Sequence, residues 1–248
     1  MKGEGMTIGA EKLAVCWLVA FLTLSLGAGS LSAQARAKQI ELELVIAMDT
    51  SSSVDEFEFE LQKQGVAEAF RHPDVLEAIE SCGGEEIAVA AVQWSGNRMH
   101  LIAVDWMLLR DETSAAAFAA KIEATRRLLI GFTGLGGAIR FSLKMIEEND
   151  LEGRRQIIDI SGDGASSGLI PNLERDRAVG RGATINGLAI LNEESALDEY
   201  YATYVIGGTG AFVMSVGSFD GFAEAIRTKL EREIRCPKVA DAFVLDEG

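Results

Sequence analysis

Histidine is nearly absent from this chain, with His72 and His100 the only two among 248 residues. The scarcity matters at Gly164-Ala165-Ser166-Ser167-Gly168, a Gly-x-Ser-x-Gly run of the kind that exposes a nucleophilic serine between a strand and a helix. Such an elbow needs its histidine later in the chain, and both histidines come earlier, so no base is available to activate Ser166. His72, beside Pro73, reads as a helix-end cap or surface residue, and His100 as the start of an edge strand. Lysine is missing from Gly131-Phe132-Thr133-Gly134-Leu135-Gly136-Gly137, where Arg140 is the nearest base, and this excludes a phosphate-binding loop. Positive charge is short throughout: 23 Lys and Arg against 38 Asp and Glu leave a net charge of -15, a poor match to nucleic acid. No internal repeat is visible, nor any low-complexity tract beyond the N-terminal segment.

Cysteine is equally scarce, with three residues. Cys16 lies in an uncharged run, residues 13–34, that follows Lys2 and Lys12 and reads as a signal peptide. Cleavage is expected after Ala35, with Leu31-Ser32-Ala33 offering a second position; an uncleaved anchor is the alternative, since the run approaches the ~20 residues that span a bilayer. Lys2, Lys12, Glu4 and Glu11 cancel, so the remainder keeps the full negative charge. The expected organisation is a signal peptide over 1–35, one domain over 36–236 and a loosely held tail over 237–248. An exported protein with Cys82 and Cys236 as its only pair is expected to join them in a disulfide, and to be periplasmic or secreted with no membrane span after cleavage.

What is abundant is alternation. Apolar, β-branched runs at 41–48, 86–93, 100–106, 156–161, 184–190 and 211–216 alternate with segments of helical period at 54–71, 114–125, 138–148, 173–181, 196–205 and 219–235. This predicts an α/β domain, a doubly wound, mostly parallel six-stranded sheet with helices on both faces. The short connection Ser95-Gly96-Asn97 makes the third strand antiparallel, at the sheet edge. In the first helix Phe57, Leu61, Gln64, Ala67 and Phe70 trace the expected buried face, with Pro73 just past its end.

The run Asp49-Thr50-Ser51-Ser52-Ser53 follows the first strand directly and sets a carboxylate and several hydroxyls at its carboxyl end. Alone, such a turn reads as a helix cap as readily as a place for a hard cation. In an open parallel sheet, ligands bind beyond the carboxyl ends of the strands, where the strand order reverses. Two further loops reach that edge: one carries Thr133, the other Asp163 of Gly162-Asp163-Gly164. Together the three loops offer hydroxyls and carboxylates suited to magnesium, or to manganese or calcium.

With Asp49-x-Ser51-x-Ser53, Thr133 and Asp163 in this order, residues 40–235 resemble a von Willebrand factor type A domain, the fold of integrin inserted domains. Within that group the chain is most similar to an uncharacterised bacterial exported branch. The resemblance implies a metal-ion-dependent adhesion site in which Ser51, Ser53 and Thr133 are hydroxyl ligands and Asp49 and Asp163 act directly or through water. Phe132 departs from the pattern, because a small residue is common there in relatives. The implied function is protein binding without catalysis, the cation bridging to an aspartate or glutamate of an unknown partner protein. A metal-dependent hydrolase or phosphatase, or a domain whose metal loop is purely structural, are the alternatives. The hydrolase would need a nucleophile or second metal; Asp159 is the spare carboxylate, and strand alternation turns it toward a neighbouring helix or solvent. Trp94 and Trp106 flank the hairpin and are expected to pack in the core or at the edge.

Overall fold

A computed structural model of the chain describes residues 37–166 and 171–236. Residues 1–36, where the signal peptide is expected, the tail from Pro237 and residues 167–170, which include Ser167 and Gly168 of the serine motif, lie outside the described residues. No helix among the described residues is long and apolar enough to cross a membrane.

Six strands form one sheet: β1 (Lys38–Asp49), β2 (Ile87–Trp94), β3 (His100–Leu109), β4 (Leu151–Gly162), β5 (Thr184–Ile190) and β6 (Val213–Val216). Their order is β3-β2-β1-β4-β5-β6, with β3 antiparallel at one edge and all other pairs parallel. The chain steps from β1 to β2 on one side and later returns to β4 on the other. The strand order therefore reverses between β1 and β4, the place where open α/β sheets open a crevice.

Alternation along β1 explains the two cores. Leu42, Leu44, Ile46 and Met48 face one helical layer, and Val45 and Ala47 face the other. The first layer holds α1 (Glu56–Ala69), α2 (Pro73–Glu80), α3 (Glu112–Glu123) and α7 (Phe222–Ile234), packed through Phe59, Val66, Phe118 and Phe222. The second holds α4 (Leu135–Glu147), α5 (Pro171–Val179) and α6 (Leu197–Tyr200), which runs into a π-helical turn over Tyr201–Val205. Each helix buries one apolar stripe against a sheet buried on both faces, the condition that makes parallel strands read as continuous apolar runs.

Some expectations hold in part and need correction. Pro73 does lie just past the end of α1 and His72 is a cap, but Pro73 also opens a further helix, α2, absent from the expected elements, with the His72 ring nitrogen accepting from the Asp74 amide at the N-cap. Proline suits the first helical position because its missing N–H has no partner to lose there. The face of α1 differs in part. Ala67 and Phe70 are buried and Leu61 packs against the core as expected, but Phe57 is 67% exposed and Gln64 exposed, while Phe59, Gln62, Val66 and Ala69 are buried as well. Finally, α4 begins inside the glycine-rich loop, at Leu135 rather than Ala138.

Cys82 and Cys236 are joined by a disulfide, tying the residues after α2 to the end of α7. Trp94 is wholly buried and donates its indole N–H to the Ala47 carbonyl, 3.1 Å away. Asp159 turns to α7: Lys229, itself fully buried, places its ammonium 2.6 Å from Asp159 Oδ1 and 2.6 Å from Glu233 Oε1. Asn186 of β5 donates to the same Glu233 oxygen. Burial, and then the nearby Asp159 charge, push the Glu233 carboxyl up to about 8.

Candidate metal centre

The end of β1 is held from its own helical layer. Gln62 of α1 accepts from the Asp49 amide and donates to the Asp49 carbonyl, and Ser161 donates its hydroxyl to Gln62 Oε1. A buried glutamine placed by α1 thus fixes the backbone of Asp49 against β4. The turn that follows is local: the Ser51 amide donates to Asp49 Oδ1 at 2.7 Å, and Asp55 caps α1 through a reciprocal box with Glu58. Thr50 is tied by its amide and its hydroxyl to the Trp94 carbonyl at the end of β2.

Three loops meet there. The Ser51 and Ser53 hydroxyl oxygens are 3.0 Å apart, and Ser53 donates to Asp163 Oδ1 at 2.6 Å. The Thr133 loop joins through the Ser52 amide, which donates to the Gly131 carbonyl, and through Arg127, which donates to the Ser51 carbonyl. Gly134 sits so close to the β2–β3 turn that a Cβ on it would lie 2.5 Å from the Ser95 carbonyl oxygen. Thr133 Oγ1 in turn lies 3.2 Å from where a Cβ on Gly164 would be, beside Asp163. Asp49, Ser51, Ser53, Thr133 and Asp163 therefore share one end of the sheet.

Asp49 and Asp163 are wholly buried, and each has one oxygen, Oδ2, without a hydrogen-bond partner among the described residues. Burial, with Asp163 adding its charge, pushes the Asp49 carboxyl up to about 8. Asp163 is raised as well, again by burial first. Two buried carboxylates with unused oxygens form an acidic hole, and among the described residues neither makes a salt bridge. Among the described residues no three His, Cys, Asp or Glu side chains stand together as a metal group, so a cation here must draw on hydroxyls. The donor set present, two carboxylates and three hydroxyls, suits a hard divalent ion and fits that requirement.

The rim is apolar on one side. Leu128, Ile130 and Phe132, alternate residues on the extended segment leading to Thr133, are 68%, 64% and 79% exposed. The side chain of Phe132 stands out into solvent next to the site. Gln93 holds this segment, donating to the Arg126 carbonyl and accepting from the Leu128 amide.

Residues 39–238 match the model of a family described as a protein of unknown function, DUF1194. The chain belongs to that family. No curated protein matches it in sequence. Among solved structures, proximal thread matrix protein 1 from the mussel byssus superposes with a TM-score of 0.55 at 16% identity, over 79% of this chain and 48% of that one. One structure of that mussel protein has a zinc-occupied MIDAS motif. The vWF domain of the type V pili tip protein Mfa5 from Porphyromonas gingivalis gives 0.54 at 11% identity, over 82% of this chain and 99% of that one. The pilus adhesin SpaC from Lactobacillus rhamnosus GG gives 0.56 at 12% identity, over 79% and 31%. The chain thus spans about half of the mussel protein. At these identities the likeness is one of fold: the chain has a von Willebrand factor A-like fold.

Sequence reasoning singled out Phe132 but missed Gln62, Arg127 and the rest of the strip, Leu128 and Ile130. The strip had a visible signal, three large apolar residues at alternate positions beside the threonine loop. Gln62 had none, since a polar residue on a helix reads as solvated.

Proposed function

We propose that the chain is an exported protein-binding module that takes up a divalent cation through Asp49, Ser51, Ser53, Thr133 and Asp163 and through it holds an aspartate or glutamate of a partner protein. The observation that carries this is the pair of buried carboxylates with unused oxygens, ringed by hydroxyls from two loops. A bound cation supplies positive charge and an open coordination position to a carboxylate from outside. The chain's own residues do the rest. Ser53 and Thr133, half-exposed, leave the site open to solvent on one side, and the apolar strip beside it offers contact area to whatever docks there.

Magnesium is the first expectation from an all-oxygen donor set, with manganese and calcium the alternatives. The reading is one of binding and not of catalysis. His72 caps α2 and His100 stacks on Phe141 with ring centroids 5.2 Å apart, so each ring is engaged elsewhere. The backbone amide of Ser166 donates to Tyr200 Oη in a loop. Export is supported by the disulfide, which persists in oxidising compartments.

Calorimetry with manganese on the full chain and on Asp49→Ala is the first test, with heat expected from the parent alone. A pull-down from periplasmic extract, with and without chelator, then tests the bridge: capture should depend on the ion and be lost in Asp49→Ala. Equal heats, or capture indifferent to chelator, would sink the proposal, and so would metal-dependent turnover of ester or phosphate substrates that Asp163→Ala abolishes.

A further inference from the structure

Behind Asp49 the sheet carries a slot made by two glycines. Gly187 of β5 pairs with Ile160 of β4, and Gly162 ends β4 two residues further on. A Cβ on Gly187 would lie 2.5 Å from Cδ1 of the Tyr201 ring. One on Gly162 would lie 2.6 Å from Asp49 Oδ2, 3.0 Å from Tyr201 Oη and 3.1 Å from Trp94 Cζ2. All are closer than van der Waals contact allows, so larger residues are excluded at both positions while the ring stays where it is.

The missing side chain of Gly162 therefore marks a point that a phenol and a carboxylate approach from two sides. Tyr201 is wholly buried, and its hydroxyl, like Asp49 Oδ2, has no hydrogen-bond partner among the described residues. Two unsatisfied buried polar atoms facing one gap is an arrangement that folded proteins avoid unless the two serve each other. A phenylalanine would fill the slot with no donor to satisfy. The residue is presented by the π-helical turn Tyr201–Val205, a helical irregularity that recurs at functional positions.

We propose that Tyr201 is a positioning residue for the metal centre, its hydroxyl donating to Oδ2 of Asp49 across the gap that Gly162 leaves open, through one water or after a small turn of the carboxyl that brings the two atoms within reach. The hydroxyl fixes the orientation of the carboxylate and offsets its charge from behind, as outer partners of metal ligands do. The role in metal affinity rests on the reading above; the hydrogen bond itself does not.

Tyr201→Phe in the full chain keeps the ring and removes only the hydroxyl. Manganese affinity by calorimetry is expected to fall about tenfold, and the urea midpoint of the metal-free variant should fall modestly as well, because buried Asp49 Oδ2 loses its donor. Equal manganese affinities would overturn the proposal. A second measurement is independent of metal. In the metal-free parent carrying labelled tyrosine, NMR should find a slowly exchanging Tyr201 hydroxyl proton that shifts on Asp49→Asn. If the parent takes up no manganese, the metal reading fails and this resonance decides alone: its absence, or its indifference to Asp49→Asn, overturns the hydrogen bond.

Discussion

Cation uptake by this domain should expel a proton. Asp49 is wholly buried and its carboxyl is pushed up to about 8, first by burial and then by Asp163. At pH 7 a carboxyl with that value is about nine-tenths protonated, whereas a metal ligand must be ionised. Binding at pH 7 should therefore release close to one proton per ion. Apparent affinity should rise roughly tenfold per pH unit below pH 8 and level off above it. The assay is calorimetry with manganese at fixed pH in two buffers of different ionisation enthalpy. The slope of apparent heat against buffer enthalpy counts protons, with about 0.9 expected at pH 7 and a value near zero at pH 9. Affinity flat between pH 6 and 8, with no proton released, would show that Asp49 is already ionised in the metal-free protein. The reasoning from its burial would then be refuted.

The other expectations concern the frame. Lys229→Met leaves Asp159 and Glu233 buried without their cation and should destabilise the fold by about 3–5 kcal/mol in urea unfolding; a loss under about 1 kcal/mol would mean that the acids simply share a proton. Glu233, raised from its ordinary 4.5 to about 8, binds a proton in the folded chain that the unfolded chain releases. Its stabilisation is complete below pH 4.5 and lost as pH rises through 8, so the metal-free urea midpoint should fall between pH 5 and 8.5 and Glu233→Gln should flatten part of that slope. Opening the Cys82–Cys236 bond, which closes a separation of 154 residues, should cost about 2–4 kcal/mol toward the upper end. An unchanged midpoint after reduction would contradict that estimate.

The sheet was legible because its strands carry their burial in composition: β5 spans Thr184–Ile190 as the apolar run indicates, and the short Ser95-Gly96-Asn97 link required an antiparallel edge. The convergence of Asp49, Ser51, Ser53, Thr133 and Asp163 was also legible, since loop position follows from strand order. What stayed hidden was polar. Gln62, Lys229 and Glu233 sit in the interior because each meets a partner distant in sequence, and no local pattern announces such a partner. The helix α2 was lost for a different reason: Pro73 both ends and begins helices, and only the cap at His72 tells which. Nothing in the sequence sets Gly162 and Gly187 apart, because the Tyr201 ring that lies against both comes from a distant helical turn.

The disulfide and the run of β1 together decide how the domain would carry a mechanical load. Lys38 opens β1 at the pole of the sheet opposite Asp49, and Cys236 lies near that same pole, within reach of Arg155 early in β4. Tension between a ligand gripped at the Asp49 end and an attachment before Lys38 would run lengthwise along β1. That strand is flanked by β2 and β4 in parallel register, so the pull must shear many hydrogen bonds at once instead of unzipping them singly. Tension through the other end would enter at Cys236 and pass by a covalent bond to Cys82, bypassing α7. Either way the docking face would point along the line of force, away from its tether.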